Sequence, residues 1–562
     1  MRVPRERLRD VDSPAVARAL LEELIAGGVR DVVLAPGSRS APISLALADA
    51  ERRGLVRLHV RIDERSAAYL ALGLARGSGA PVAVVTTSGT AAVNLHPAIV
   101  EAAYSGVPIV AVTADRPGAM RGSGANQTID QRDLFGDDVV ACLDLEGLDE
   151  SDLRRAVADA LDLAVGDQPG PLHLNVPLSE PLVATGAHAI GEVQARTRDL
   201  RSPRQCPAMS TLLPAGVDAT RGLIIAGDFD DPVVRADAAA LAESLGWPIV
   251  SEPSGNLSSH PQALCHGPLL LGGAADRDLI PDVVVTVGRV GLHRSVSAVI
   301  RAARAHIAVD VPPRLGRVDP LRTASVVLDA VPDAGDGIPD PAWAARWAAA
   351  DAAAALAVGS SLDTEQLTGP AVARIVAQHA GAEDLLMIGP SWPVRHVSSY
   401  AGSLSATCIG NRGTSGIDGV ISTAWGAALT RSGGTTYALV GDLTAIYDRN
   451  GLLAPATEPR PRLDYIVIDN DGGGIFSSLE QGAPEFAADF ERVFGTPHGA
   501  DLSTLLAAPG VEVTTVESAA GLRNALERPA EGVRVIVARC AARADEADLI
   551  RTVQSAVDAA LS

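Results

Sequence analysis

Two short stretches carry the residue types that hold a divalent cation against a phosphate. Gly441-Asp442-Leu443-Thr444 follows one apolar run and Asp469-Asn470-Asp471-Gly472-Gly473-Gly474 follows the next, with Asn470 28 residues beyond Asp442. Mg²⁺ takes few protein ligands and completes its octahedral shell with phosphate oxygens and water. Two side-chain oxygens at adjacent strand ends, with a carbonyl exposed by glycine, would supply the protein's share of that shell. The glycines also let backbone N–H groups approach a phosphate closely. Either stretch alone reads as an ordinary strand-to-helix turn; the pair at this spacing points to a metal-held phosphate. A third residue, Glu64 in HVRIDERSAAY, follows a strand-like run and opens a helical pattern, where a carboxylate is favoured by the helix dipole.

Loops of this kind need a scaffold of parallel strands that delivers them to one edge. The first 190 residues alternate strand and helix patterns. Ser13-Pro14 opens a helix that Gly27-Gly28 closes. The apolar runs 31–35, 56–62, 81–87 and 108–114 read as strands, with helices from Glu64 and from Thr90 between them. A Pro/Arg/Ser-rich stretch near 196–216 reads as a linker, and a second set of strand-like runs occupies 222–227, 247–251, 282–288 and 305–310. After a second linker at 331–341, an Ala-rich helix over 342–357 leads to runs at 384–389, 406–410, 437–441, 464–469, 511–516 and 533–538. Buried apolar runs alternating with helices predict an α/β protein of three doubly wound parallel-sheet domains. Their expected extents are 1–195, 215–332 and 358–562. The outer two echo each other: LAPGSRS and IGPSWPVR both end an early strand. Ligands of such sheets bind beyond the carboxyl ends of the strands, so the loops after these runs are where chemistry is expected.

Composition narrows the chemistry. The 562 residues include 47 basic and 68 acidic ones, a net charge of −21, which argues against sequence-independent nucleic-acid or anionic-membrane binding. No lysine occurs, so every basic residue is arginine. That excludes a Walker-A phosphate loop and the Schiff-base enzymes, both of which need a lysine. The five cysteines, Cys142, Cys206, Cys265, Cys408 and Cys540, form no CxxC pair, which suits a reducing cytosol rather than a zinc site or disulfide framework. The opening MRVPRERLRDVDSP has no apolar signal region, and no run of about 18 apolar residues follows, so a soluble cytoplasmic protein is expected. Neither HExxH nor GxSxG is present, which leaves no zinc-hydrolase or serine-hydrolase signature. Within so acidic a chain, an anionic substrate must be drawn in by clustered arginines. Arg39, Arg116 and Arg412 each follow a strand end in a loop containing glycine or proline. The Rossmann-like middle segment raises dinucleotide binding as an alternative, but GDFDD at 227–231 is a poor substitute for GxGxxG.

The Asp442–Asn470 pair with a first-domain glutamate resembles the thiamine-diphosphate enzymes. PGSRSAP (36–42), RIDER (61–65), TSGTA (87–91), TADRP (113–117), GANQ (124–127), NRGTSGIDG (411–419) and NDGGGIF (470–476) narrow the likeness. Together they resemble the 2-succinyl-5-enolpyruvyl-6-hydroxy-3-cyclohexene-1-carboxylate (SEPHCHC) synthases of menaquinone biosynthesis, from about residue 12 to the C-terminus.

The resemblance implies a pyrimidine-binding domain, a transhydrogenase-like middle domain and a diphosphate-binding domain. It implies a transferase that decarboxylates 2-oxoglutarate on thiamine diphosphate and adds the resulting succinyl-semialdehyde carbanion equivalent to isochorismate. Another thiamine-diphosphate decarboxylase or carboligase, acting for instance on pyruvate, is the alternative within the same fold. By the resemblance, Asp442 and Asn470 would bind Mg²⁺ (or Mn²⁺) by side chain and Gly472 by its carbonyl, while Glu64 would hydrogen-bond N1′ of the aminopyrimidine. Ile417 would prop the bent cofactor, with Ile475, Phe476 and Leu479 lining the apolar side of the site. Ser38, Arg39, Arg116, Gln127, Arg294, Ser391, Arg395 and Arg412 would contact the acidic substrates. A homodimer, or a tetramer of two such dimers, is implied as well, each cofactor lying between two chains. The sequence departs from the family pattern where Asp469-Asn470-Asp471 replaces three asparagines and His293-Arg294 replaces a Lys-Arg pair.

Overall fold

Short runs of Val, Ile, Leu and Ala, each cut by Gly, Pro or Asp, become strands because both of their faces are covered by helices. A computed structural model describes residues 12–183, 188–196, 207–214, 217, 219–273, 279–311, 318–335, 337–528 and 530–562. Cys206, the stretch before Asp12 and most of the expected first linker lie outside the described residues.

The first sheet comprises β1 (Asp31–Leu34), β2 (Arg57–Val60), β3 (Val82–Thr86), β4 (Ile109–Asp115), β5 (Ala141–Asp144) and β6 (Leu172–Pro177). Its order is β2-β1-β3-β4-β6-β5, with every pairing parallel. The second comprises β7 (Gly222–Ala226), β8 (Ile249–Ser251), β9 (Val283–Val287), β10 (Ala305–Val309) and β11 (Val326–Leu328), ordered β11-β10-β9-β7-β8 and again parallel. The third comprises β12 (Leu385–Ile388), β13 (Thr407–Ile409), β14 (Thr436–Gly441), β15 (Leu463–Asp469), β16 (Val511–Val516) and β17 (Val533–Arg539). Its order, β13-β12-β14-β15-β17-β16, repeats that of the first sheet strand for strand. The two loops that echo each other in sequence thus follow corresponding strands, β1 and β12.

This topology decides where ligands can bind. In each sheet the chain leaves its first strand to one side and later returns on the other, so the flanking loops part and open a crevice at the strand ends. The crevice lies between β1 and β3 in the first sheet and between β12 and β14 in the third. Ser38 and Arg39 follow β1, Ser391 follows β12, Asp442 follows β14 and Asn470 follows β15.

The second sheet shows why these strands are apolar throughout. Leu223, Ile225 and Val284 pack into one core, while Ile224, Ala226, Val283, Val285 and Val287 pack into another on the opposite face. Trp343 and Trp347, from the helix Pro341–Leu362, close the first of these cores, and the Trp343 indole donates to the Gly222 carbonyl at 2.8 Å.

The chain forms two compact units. One holds the first sheet together with Gly413–Arg431 and Asp448–Arg460; the other holds the second and third sheets. In the first unit the helix Val420–Leu429 packs on the helix Glu64–Ser78. The crossing is made by glycines: a Cβ on Gly73 would collide with the Thr423 carbonyl, and one on Gly426 with the Leu70 carbonyl. Buried Asp448 accepts from the backbone N–H and hydroxyl of Ser422 at 2.9 and 3.0 Å, and Tyr69 donates to Asp418 at 2.5 Å.

The predicted strands match to within about two residues, but three strands carried no recognised pattern: β5, β6 and β11. The helix expected from Thr90 is a single turn, Thr90–Val93, and a second helix, His96–Ser105, follows. Pro97 explains the break: it has no N–H to donate to the Val93 carbonyl one turn back, and it stands instead in the first turn of the new helix, where none is needed.

Candidate active site

The third sheet brings Asp442, Asn470 and Gly472 together. β14 ends at Gly441, and Asp442, only 2% exposed, opens the next helix. Its Oδ2 accepts from the backbone N–H of Asn470 at 3.2 Å and of Gly472 at 2.8 Å, so the carboxylate is tied directly to the loop after β15. Gly472 has φ +129°, and a Cβ there would collide with the Gly495 carbonyl, so only glycine fits. Its carbonyl already accepts from the Gly474 N–H at 2.9 Å and keeps a second lone pair. The Asn470 amide nitrogen donates to Glu546 at 2.7 Å, which leaves the amide oxygen for a cation. One buried carboxylate, one oriented amide oxygen and a carbonyl in a loop lacking Cβ atoms fit a hard divalent cation that carries phosphate oxygens.

Two residues here, His498 and Glu546, were not singled out for the site by sequence patterns. His498 lies 3.4 Å from Asp442 and 3.6 Å from Asp469, and its hydrogen bond to Asp442 holds its pKa above the ordinary value. Ligand atoms of Asp442, Asp469 and His498 all fall within 4.8 Å of one another. Burial pushes the Asp469 carboxyl up, with the Asp442 charge adding to it. Glu546 has no exposed surface, and burial pushes it up to about 7. No motif links His498 or Glu546 to the Asp442 and Asn470 stretches: Asn470 and Glu546 are 76 residues apart.

In the same unit, Gly291, Leu292, His293, Arg395, Ile475 and Leu479 help to line a cavity of about 490 Å³. Arg395 donates to the carbonyls of Leu292 at 3.0 Å and Ser391 at 2.8 Å, and burial together with the nearby Arg412 charge lowers its pKa. Ser391 sits at φ +70°, an uncommon conformation for a residue bearing a Cβ. Buried Glu252 accepts from the N–H groups of Gly291 and Leu292 at 2.8 and 2.9 Å and fixes the floor of this loop. Burial keeps His293 neutral, its pKa pushed down to about 3, with the Arg395 charge adding to the effect. Phe476 packs against Phe494 with ring centroids 5.7 Å apart. Arg294 is placed differently from the other arginines: its side chain is 77% exposed and paired with Glu480 at 2.6 Å.

The first unit gathers the remaining candidates. Glu64 begins its helix as the sequence predicts, with Asp63 capping that helix by accepting from the Ser66 N–H at 3.1 Å. Arg39 and Arg116 are largely buried and close enough for the Arg116 charge, after burial, to lower the pKa of Arg39. Arg116 donates to the Ser88 hydroxyl and the Gln127 carbonyl, both at 2.6 Å, and Gln127 has φ +55°. Ser38 is exposed at the end of β1, and Ile417 is half-buried in the loop before the helix Val420–Leu429.

Residues 14–134 match the family model described as the thiamine pyrophosphate enzyme N-terminal TPP-binding domain. A thiamin diphosphate-dependent enzyme isolated from Mycobacterium smegmatis shares the fold, with a TM-score of 0.65 and 17% identity over 94% of this chain and 99% of that one. The curated SEPHCHC synthase of Saccharopolyspora erythraea is 42% identical over 96% of each chain. That of Thermobifida fusca is 43% identical over 98% of this chain and 99% of its own. At this identity across nearly its whole length, the chain belongs to the 2-succinyl-5-enolpyruvyl-6-hydroxy-3-cyclohexene-1-carboxylate synthase family.

Proposed function

We infer that the protein is a thiamine-diphosphate-dependent transferase of menaquinone biosynthesis that releases CO2 from 2-oxoglutarate and joins the remaining four-carbon unit to isochorismate, giving SEPHCHC. The observation that carries this reading is the buried Asp442 carboxylate tied to the Asn470–Gly472 loop at the switch point of the third sheet. There Asp442, Asn470 and the Gly472 carbonyl would hold Mg²⁺, or Mn²⁺ with the same octahedral preference, against the diphosphate. The bound cofactor supplies the carbanion chemistry that a 2-oxo acid needs to lose CO2. Glu64 would hold a proton at the aminopyrimidine N1′, the general acid–base role a positioned carboxyl group can fill. Ile417 would support the cofactor's bent form, and Ile475, Phe476 and Leu479 would keep water from its reacting side.

Both substrates are dicarboxylates, and arginine binds carboxylates through paired N–H donors. Arg39 and Arg116, with Ser38 and Gln127, form one candidate binding group; Arg395 and Arg412, with Ser391, form another. Arg294 would join them on exchanging Glu480 for a substrate carboxylate. Neutral His293 beside Arg395 would add a hydrogen bond without adding charge. Among the described residues no helix is long and apolar enough to cross a membrane. A cytoplasmic location and a homodimeric assembly, alone or paired into a tetramer, complete the proposal.

The test is CO2 release from 2-oxoglutarate and from pyruvate, each with and without isochorismate. Release from 2-oxoglutarate with product formation only when isochorismate is present is expected. Preference for pyruvate would overturn the substrate assignment and leave the fold intact.

A further inference from the structure

We propose that Glu546 is a positioning residue that fixes which end of the Asn470 amide faces the cation, an inference resting on Asp442, Asn470 and Gly472 as the metal ligands. An asparagine amide has two ends of nearly equal size, and only its oxygen can bind a metal. Glu546 removes the ambiguity. It lies in the first turns of the helix Arg543–Leu561 with no exposed surface. Its Oε2 accepts from Asn470 Nδ2 at 2.7 Å, and its Oε1 accepts from the Gly369 N–H. A Cβ on Gly369 would lie 3.2 Å from Oε1 and 2.7 Å from His396 Nε2, so the glycine keeps this approach open. Both carboxylate oxygens therefore face N–H donors, and only a group that accepts at both ends satisfies both.

That requirement separates positioning from packing. Glu546→Gln keeps the shape but has one accepting end. If its oxygen keeps the Gly369 N–H, its NH₂ meets the Asn470 NH₂, and two buried donors oppose each other. The conflict is relieved when the Asn470 amide turns over, which presents NH₂ to the cation. Combining Asn470→Asp with Glu546→Gln repairs every pair: the glutamine NH₂ donates to one oxygen of the new carboxylate and leaves the other for the metal. A residue that merely fills space would show no such reciprocity.

The experiment titrates Mg²⁺ calorimetrically, in mildly alkaline buffer with saturating thiamine diphosphate, into the parent, Glu546→Gln, the double variant and Asp442→Ala. Thermal unfolding of each is recorded without metal. Glu546→Gln is expected to bind Mg²⁺ roughly 10–100-fold more weakly, the usual effect of losing a group that orients a metal ligand. The double variant is expected to regain the parent's affinity. Parent-like Mg²⁺ binding by Glu546→Gln, or a double variant no better than Glu546→Gln, overturns the proposal. If Glu546→Gln does not fold, the double variant alone decides by the same criterion; if neither folds, Glu546 is a packing residue and the proposal fails. Unchanged Mg²⁺ binding by Asp442→Ala would instead show that the ligand assignment itself is wrong.

Discussion

Glu101 holds Thr414 across 313 positions of sequence. Its Oε2 accepts from the Thr414 N–H at 2.7 Å and from the Thr414 hydroxyl at 2.8 Å, while Oε1 accepts from the Gly413 N–H at 2.7 Å. With 1% of its surface exposed, it clamps the start of the loop that carries Ile417. Glu101→Gln retains one good acceptor and leaves a buried N–H unpaired, at a cost of about 1–3 kcal/mol. Thermal unfolding of the cofactor-free protein should show a midpoint several degrees lower, and an unchanged midpoint would mean that the clamp is not needed for the fold.

Glu64→Gln is expected to fold and bind cofactor yet to turn over roughly 10²–10⁴-fold more slowly, the contribution typical of a positioned acid or base. The substitution keeps size and hydrogen-bonding capacity but cannot share a proton with N1′. Steady-state rates at saturating substrates check this, and near-parent turnover removes Glu64 from the mechanism.

Asp442→Ala should lose cofactor retention rather than slow the chemistry alone. On the proposed ligand set, no cation would then bridge the protein to the diphosphate, and the Asn470 and Gly472 N–H groups lose their shared acceptor. Calorimetric titration with thiamine diphosphate and Mg²⁺ measures the effect, and an affinity equal to the parent's would misplace the metal.

Mixing those two inactive variants tests the assembly. If each cofactor lies between two chains, a dimer of Glu64→Gln with Asp442→Ala carries both lesions in one site and neither in the other. Partial activity should return once mass spectrometry shows that subunits have exchanged. Exchange without activity, or an active monomer in sedimentation, rules out shared sites.

His173 gives the first sheet a pH dependence. Buried between Thr113, 2.8 Å from Nε2, and Cys142, 3.3 Å from Nδ1, it is kept neutral by burial, which pushes its pKa down to about 4. An unfolded histidine protonates near 6.5, so between roughly 6.5 and 4 the unfolded chain binds the additional proton and stability falls as pH falls. The loss reaches roughly 3 kcal/mol for this group. His173→Gln should flatten that part of the stability profile in denaturant titrations at stepped pH, and an unaltered slope would contradict the assignment.

The same residue shows why some of the fold was hidden. β6 reads LHLNVP, and His173 and Asn175 break its apolar run, yet both are buried because they hydrogen-bond sideways to Thr113, with Asn175 also bonded to Gln131. A pattern of apolar residues cannot register a polar pair whose partners arrive from other strands. β11 was missed for the opposite reason: it is a short, half-exposed edge. Asp442 and Asn470 were legible because strand ends, glycines and spacing are local properties. Glu546, His498 and Glu252 were not, since each meets its partners only after separate segments have packed. The resemblance names Arg294 as a substrate contact, but nothing in the sequence shows its exposure or its pairing with Glu480.

The glycine crossing of the helices Glu64–Ser78 and Val420–Leu429 makes the first unit a lever with a fixed fulcrum. Backbone meets backbone at Gly73 and Gly426, with no side chain between to act as a cushion. Glu64 stands nine residues from Gly73, about 13 Å along the helix, so a tilt of about 5° at the crossing would swing the acid by about 1 Å. With Glu64 in the role proposed for it, an error of that size would cost on the order of 10²-fold in rate. An added methyl at either glycine would therefore act on the chemistry from a distance, through leverage rather than contact.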